Sequence, residues 1–209
     1  MVVLLMKERR EARDMGETEQ KLFDEEFSKM GFTDVEFYRL ISAAKKTTVQ
    51  PGFCFCSKNA DQEKMYFIVD GDVSIKASTV DSPTIAVVRK NSFIGEMSFL
   101  SYLHDETIGH QAGAYAVARA PCNVLEWDFD ELRNTLLLEQ NRGVCNAFQA
   151  FLSCDLRRKL STISKQSSEK KGSPTAKVDS SKALRSRPTR VRFVRGGNSL
   201  TMNDTDVGK

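Results

Sequence analysis

From Thr47 onward the apolar residues stop recurring at every third or fourth position and gather in short runs closed by turn residues. The runs are Thr47-Thr-Val-Gln50, Phe53-Cys-Phe-Cys56, Met65-Tyr-Phe-Ile-Val69, Val73-Ser-Ile-Lys76 and Thr84-Ile-Ala-Val-Val88, punctuated by Pro51-Gly52, Asp70-Gly71 and Asn91. Spacing of roughly ten residues per strand predicts an antiparallel sandwich or barrel. Two further runs, Ala114-Tyr-Ala-Val-Ala118 and Asn123-Val-Leu-Glu-Trp127, follow an irregular stretch from Ser101 to Gly113. The sheet therefore carries one long excursion, and such loops inside compact domains usually serve function or motion.

Helical periodicity brackets the strands. Leu22, Phe23, Glu26, Phe27 and Met30 keep helical spacing from Glu19 to Met30. A second helix opens at Thr33, whose capping box with Glu36 satisfies exposed N–H groups reciprocally, and Gly31 joins the two as a hairpin. Residues 7–15 read as a solvated, fraying lead-in helix interrupted at Met15-Gly16. After the strands, Asp128 and Glu131 repeat the capping-box pattern and open a helix through Leu132 and Leu136. Asn141-Arg142-Gly143 breaks it, and Val144, Phe148, Phe151, Leu152, Leu156 and Leu160 continue to a basic end at Arg157-Arg158-Lys159, favourable at a helix C-terminus.

One core and its tails suffice for 209 residues of 40% hydrophobic and 28% charged composition. Net charge is +3, yet residues 166–209 hold ten Lys or Arg against four Asp or Glu, while the preceding part holds 21 against 24. From Lys165 the chain is rich in Ser, Lys, Arg, Thr, Gly and Pro and cannot offset chain entropy by burial. The expected division is a charged lead-in over 1–18, one domain over 19–161 and a basic disordered tail over 162–209. Five cysteines without a C-x-x-C pair form neither a disulfide framework nor a zinc site. Met1-Val-Val-Leu-Leu-Met6 is too short for a signal-peptide core or a membrane span. These features lead to the expectation of a cytoplasmic protein, peripheral to or tethered at a membrane if a longer N-terminal region precedes it.

The order of helix pair, short strands, glycine-bearing turn, two strands and two helices resembles the cyclic nucleotide-binding domain. Carrying the resemblance are Pro51-Gly52, Met65-Tyr-Phe-Ile-Val-Asp-Gly-Asp-Val-Ser-Ile75 and Ser92-Phe-Ile-Gly-Glu-Met-Ser-Phe-Leu100, over about 140 residues. It implies a mainly β fold with flanking helices: a jelly-roll β-roll between an N-terminal helical hairpin and C-terminal helices. Gly52 and Gly71 stand where tight turns need positive φ. Gly95-Glu96 is chemically richer, because a glycine before a helix start presents backbone N–H groups to an anion and the adjacent carboxylate can accept from a sugar hydroxyl.

By the resemblance this turn is the phosphate-binding cassette, with Phe93, Ile94, Gly95, Glu96, Met97 and Ser98 against the ligand, Glu96 on a ribose hydroxyl and the Met97 and Ser98 N–H groups toward the phosphate. Ala114, Tyr115 and Ala116 would continue the site on the following strand. Ala112 falls where tightly binding members carry an arginine, so a contact of about 1.5–3 kcal/mol is missing. His110 is the candidate substitute. Popeye domains also lack that arginine, and Cys122-Asn-Val-Leu-Glu-Trp127, Asp130-Glu-Leu132 and Cys154-Asp-Leu-Arg-Arg-Lys-Leu160 look like that branch.

Two functions follow. One is a non-enzymatic regulatory sensor that binds cAMP or cGMP, needs no cofactor, and relays occupancy through its C-terminal helices to a protein partner or a second copy of itself. The other is a degenerate roll that binds no nucleotide and serves as an interaction or dimerisation scaffold. A metal-dependent jelly-roll enzyme is disfavoured, because His104 and His110 are the only histidines and lie in one loop, and no catalytic motif occurs. The tail suits anionic lipid better than nucleic acid, having few aromatics to stack. Within it Arg190, Val191 and Phe193 resemble the protein phosphatase 1 docking motif, an extended peptide that adds to a sheet edge.

Overall fold

The computed structural model describes residues 10–12, 14–105, 110–138 and 141–171. Met1–Met6, Glu106 and the tail segment with Arg190, Val191 and Phe193 lie outside the described residues.

The N-terminal pair begins with α1 (Glu17–Leu22), which runs through a π turn (Phe23–Phe27) and a 3-10 turn (Ser28–Met30) into Gly31 at φ +88°. Helix α2 (Asp34–Ser42) opens on the expected capping box: Thr33 Oγ1 accepts from the Glu36 N–H at 3.3 Å, and Glu36 Oε2 accepts from the Thr33 N–H at 2.8 Å. The lead-in is less solvated than composition suggests, since Ala12 is buried and the Tyr38 hydroxyl donates to Glu11.

Eight strands follow: β1 (Lys45–Val49), β2 (Cys54–Cys56), β3 (Lys64–Asp70), β4 (Val73–Lys76), β5 (Thr84–Val88), β6 (Ser92–Ile94), β7 (Tyr115–Ala118) and β8 (Cys122–Asp128). They form two four-stranded sheets, ordered β1-β8-β3-β6 and β2-β7-β4-β5. Every ladder is antiparallel, and Tyr66 to Ile94 and Ile75 to Ala116 are among the facing pairs. Strand β6 escapes the run-length pattern because only three residues pair. Helix α3 (Glu96–His104) lies between β6 and β7, so the expected irregular stretch is helical at its start. Helices α4 (Phe129–Leu137) and α5 (Arg142–Lys171) close the fold, and the gap between them precedes the break expected at Asn141-Arg142-Gly143, since Arg142 and Gly143 already belong to α5. Asp128 caps α4 by accepting from the Asp130 N–H at 3.1 Å. The backbone of α5 continues to Lys171, past the point at which disorder was expected.

Strand β3 is apolar at successive positions because each of its faces meets a different core. Tyr66 and Ile68 turn between the sheets with Val49, Phe55, Val73, Ile94, Ala116 and Val124. Met65 and Phe67 turn outward against the helices, joining Phe27, Phe37, Phe93, Trp127, Phe148 and Phe151. Rings there meet edge-on, Phe67 with Phe93 at 4.8 Å and Phe93 with Phe151 at 5.0 Å. Trp127 has the core-packing role expected of it, fully buried with Nε1 donating to the Leu40 carbonyl at 2.9 Å. This aromatic layer fixes α5 against β6, and α5 thereby roofs the cavity described next. No helix among the described residues is long and apolar enough to cross a membrane.

Candidate ligand cavity

The cassette turn is built by close approach. Asn91, at φ +63°, donates its N–H to the Ile68 carbonyl at 2.7 Å and delivers the chain into β6. Gly95 then adopts φ +87°, and a Cβ there would lie 2.8 Å from the Lys64 carbonyl oxygen. Only glycine fits both conditions. Helix α3 starts at once, its first turn closed by the Phe99 N–H on the Gly95 carbonyl at 3.0 Å. The N–H groups of Glu96, Met97 and Ser98 precede that bond and have no acceptor within the helix.

Beside this turn lies a cavity of about 620 Å³. Its walls are mainly apolar, from Ile75, Val88, Ile94 and Ala116 of the roll and Leu156 and Leu160 of α5. Gly95, Glu96, Met97 and Ser98 form the polar margin, and Ala112, Ala114 and Tyr115 border the cavity elsewhere. The structure thus brings together eight of the ten residues expected at a site: Ile94, Gly95, Glu96, Met97, Ser98, Ala114, Tyr115 and Ala116. Phe93 is elsewhere, its ring fully buried in the aromatic layer, although its backbone touches the network below. His110 is elsewhere too, its ring edge-on to Tyr102 at 5.0 Å and near Phe129 at 5.9 Å. It therefore does not stand in for an arginine at the cavity wall. Ala112 does line the wall, its N–H donating to the Ala60 carbonyl at 3.1 Å, and supplies no charge there.

Cation and carboxylate come instead from α5, where the basic run signalled only a helix end. Asp155, its side chain fully buried, accepts from the Phe93 N–H through Oδ2 at 3.0 Å and from Arg158 through Oδ1 at 2.6 Å. Arg158 also donates to Ser92 Oγ at 2.9 Å and to the Asn91 carbonyl. Lys159 Nζ lies 2.9 Å from Asp155 Oδ2 and 2.7 Å from Glu96 Oε1, and also donates to the Phe93 carbonyl. Glu96 is itself buried. A buried carboxylate on this turn is sustainable because a cation stands against it. The only sequence signal for this network was Asp155 on the face shared by Leu152 and Leu156, with Arg158 and Lys159 at helical spacing after it.

Cys56 lines the opposite wall, and burial, with a smaller contribution from nearby Cys54, pushes its thiol up to about 12. It is a neutral thiol at ordinary pH and a poor nucleophile. Among the described residues no group of three or more His, Cys, Asp or Glu is placed to hold a metal ion.

Residues 46–138 match the family model of the cyclic nucleotide-binding domain. The fold is the cyclic nucleotide-binding jelly roll. Solved structures agree on architecture at low identity. A cyclic nucleotide-binding domain from Methylobacillus flagellatus KT shares 20% identity with a TM-score of 0.56, over 70% of this chain and 78% of that one. A putative cyclic nucleotide-binding protein from Geobacter metallireducens GS-15 shares 16% with a TM-score of 0.55, over 70% and 99%. The C-linker/CNBHD of zELK channels, crystallized in the presence of cAMP, shares 16% with a TM-score of 0.52, over 74% and 69%. A search of curated protein sequences returned no match. Family match and solved structures agree on the cyclic nucleotide-binding fold.

Proposed function

We propose that this chain is a non-enzymatic regulatory module that binds a cyclic nucleotide in the β6–α3 cavity and relays occupancy through α5. The observation carrying this reading is the glycine-capped start of α3, where N–H groups without an acceptor in their helix and buried Glu96 border a cavity roofed by the very helix that would report. The N–H groups suit a cyclic phosphate and the carboxylate a ribose hydroxyl. Apolar walls suit the base.

Ala112 leaves the phosphate without the arginine of the tightly binding members, so affinity should be about tenfold to a hundredfold weaker than with that contact. The same absence is what likens the chain to the Popeye branch. Relay requires that ligand bind the two arrangements of α5 unequally. The partner would be met along α5, as a second copy of this chain or another protein, or through the tail motif at Arg190, Val191 and Phe193, and membrane tethering would fit the same design.

Titration calorimetry with cAMP and cGMP tests the reading. Binding is expected, and Ala112→Arg should strengthen it about tenfold or more. No heat from either protein at millimolar nucleotide would favour the second reading, a ligand-free interaction scaffold, for which Ala112 and the bulky Tyr115 at the cavity wall speak.

A further inference from the structure

Lys159 is the feature whose consequence for ligand binding reaches furthest. Its ammonium has three N–H donors. Two are donated to the Phe93 carbonyl and Glu96 Oε1, and the ammonium also pairs with Asp155 Oδ2 at 2.9 Å. A lysine side chain only 17% exposed and tied to three protein oxygens is committed to the protein before any ligand arrives. Although it lines the cavity, its effect on a ligand passes through the groups it holds.

Glu96 is the group that matters. Lys159 engages Oε1 alone, and Oε2 has no partner among the described residues, so the second oxygen remains an acceptor beside the cavity. An ionised carboxylate accepts through both oxygens, and ligation of one by a fixed cation orients the other. Without the cation the buried carboxylate loses the charge that holds it and is free to turn away from the cavity. Asp155 completes the device, because its other contacts tie the same turn of α5 to the Phe93 N–H and to Arg158.

We infer that Lys159, fixed by Asp155, is a positioning residue of the ligand site, which sets Glu96 for hydroxyl recognition only while α5 lies docked on β6. The inference rests on the cyclic nucleotide reading and deepens it: the docked helix is the binding-competent state, and ligand should hold it docked.

The test uses the full chain, with cAMP and 2′-deoxy-cAMP as probes, in wild type, Lys159→Met and Lys159→Arg, alongside amide hydrogen exchange of the ligand-free wild type and Glu96→Gln. Lys159→Met should weaken cAMP about tenfold, and the preference of cAMP over its 2′-deoxy form should shrink toward unity, because the carboxylate no longer meets the hydroxyl. Lys159→Arg should restore most of both. A change in stability alone would not alter the ratio between the two nucleotides. Wild-type binding with undiminished affinity and ratio in Lys159→Met overturns the inference and leaves the nucleotide reading standing; tighter binding there overturns it as well, by making Lys159 a blocker. If wild type binds neither probe, the nucleotide reading falls and exchange decides the link: faster exchange over residues 156–160 in Glu96→Gln supports a Glu96–Lys159 latch, and unchanged exchange overturns it.

Discussion

Gly95 concentrates two demands in one residue. Its φ of +87° is costly for any side chain, and the Lys64 carbonyl stands 2.8 Å from where a Cβ would be. Gly52 has the same φ of +88° but open space around it. Gly95→Ala is therefore expected to cost about 2–3 kcal/mol and Gly52→Ala about 1 kcal/mol, read as the difference in urea unfolding midpoints. Equal costs would mean that the close approach does not matter. Cys56 makes a pH prediction. Its thiol is pushed from the usual range up to about 12, with burial the larger cause. The folded state thus keeps a proton that the unfolded state releases near pH 9, so stability falls as pH rises from about 9 to 12. Cys56→Ala should lessen that alkaline loss while leaving stability between pH 6 and 8 without slope from this site, as followed by thermal unfolding across pH. Glycine needs of this kind were legible in sequence, because positive φ leaves its mark in residue type. Lys159 was not, since its partner Glu96 lies 63 residues away and a lysine late in a helix already has a local explanation in the helix dipole.

Helix α5 shows what pattern reading recovers of an element and what it leaves out. The spacing of Val144, Phe148, Phe151 and Leu152 gave the face that packs, and all four are buried. The same pattern treats Asp155 as an interruption, although it binds the β6 backbone and holds Arg158 and Lys159 beside it. Its oxygens answer a backbone N–H, an arginine and a lysine, all close to the cassette turn. Removing one member of a buried charged network leaves the others uncompensated. Asp155→Ala should cost about 3–5 kcal/mol, and Asp155→Asn less, because the amide oxygen can still accept from Phe93. Chemical denaturation of both variants checks the order. Strand β6 was hidden for the opposite reason: Ser92–Ile94 is too short to show alternation, and its identity comes from pairing with β3, which only the folded chain displays.

The two-sheet roll was readable because evenly spaced runs and turn glycines leave few alternatives. The second core, outside the roll, was not. It arises because β3 and β8 bury both faces, Tyr66 and Val124 inward and Phe67 and Trp127 outward, and because helices from both ends of the domain converge on the outer face. Phe151 touches Phe27, Phe67 and Phe93 at 5.0, 5.9 and 5.0 Å, so one ring bridges the N-terminal helices, the sheet and α5. Parts joined in this way should unfold together, and a ligand bound beside α3 should stabilise all of them. At a hundredfold its Kd, cyclic nucleotide should add about 2.7 kcal/mol and raise the unfolding midpoint by about 5–10 °C. Phe151→Ala should cost about 3–5 kcal/mol and separate the responses. In that variant nucleotide still protects amides of α3, while protection of α5 falls, because the ring that made the helix part of the same cooperative unit is gone. Equal protection of both elements in wild type and variant would show that the aromatic layer is not the connection, and would leave the Asp155–Lys159 network to carry it alone.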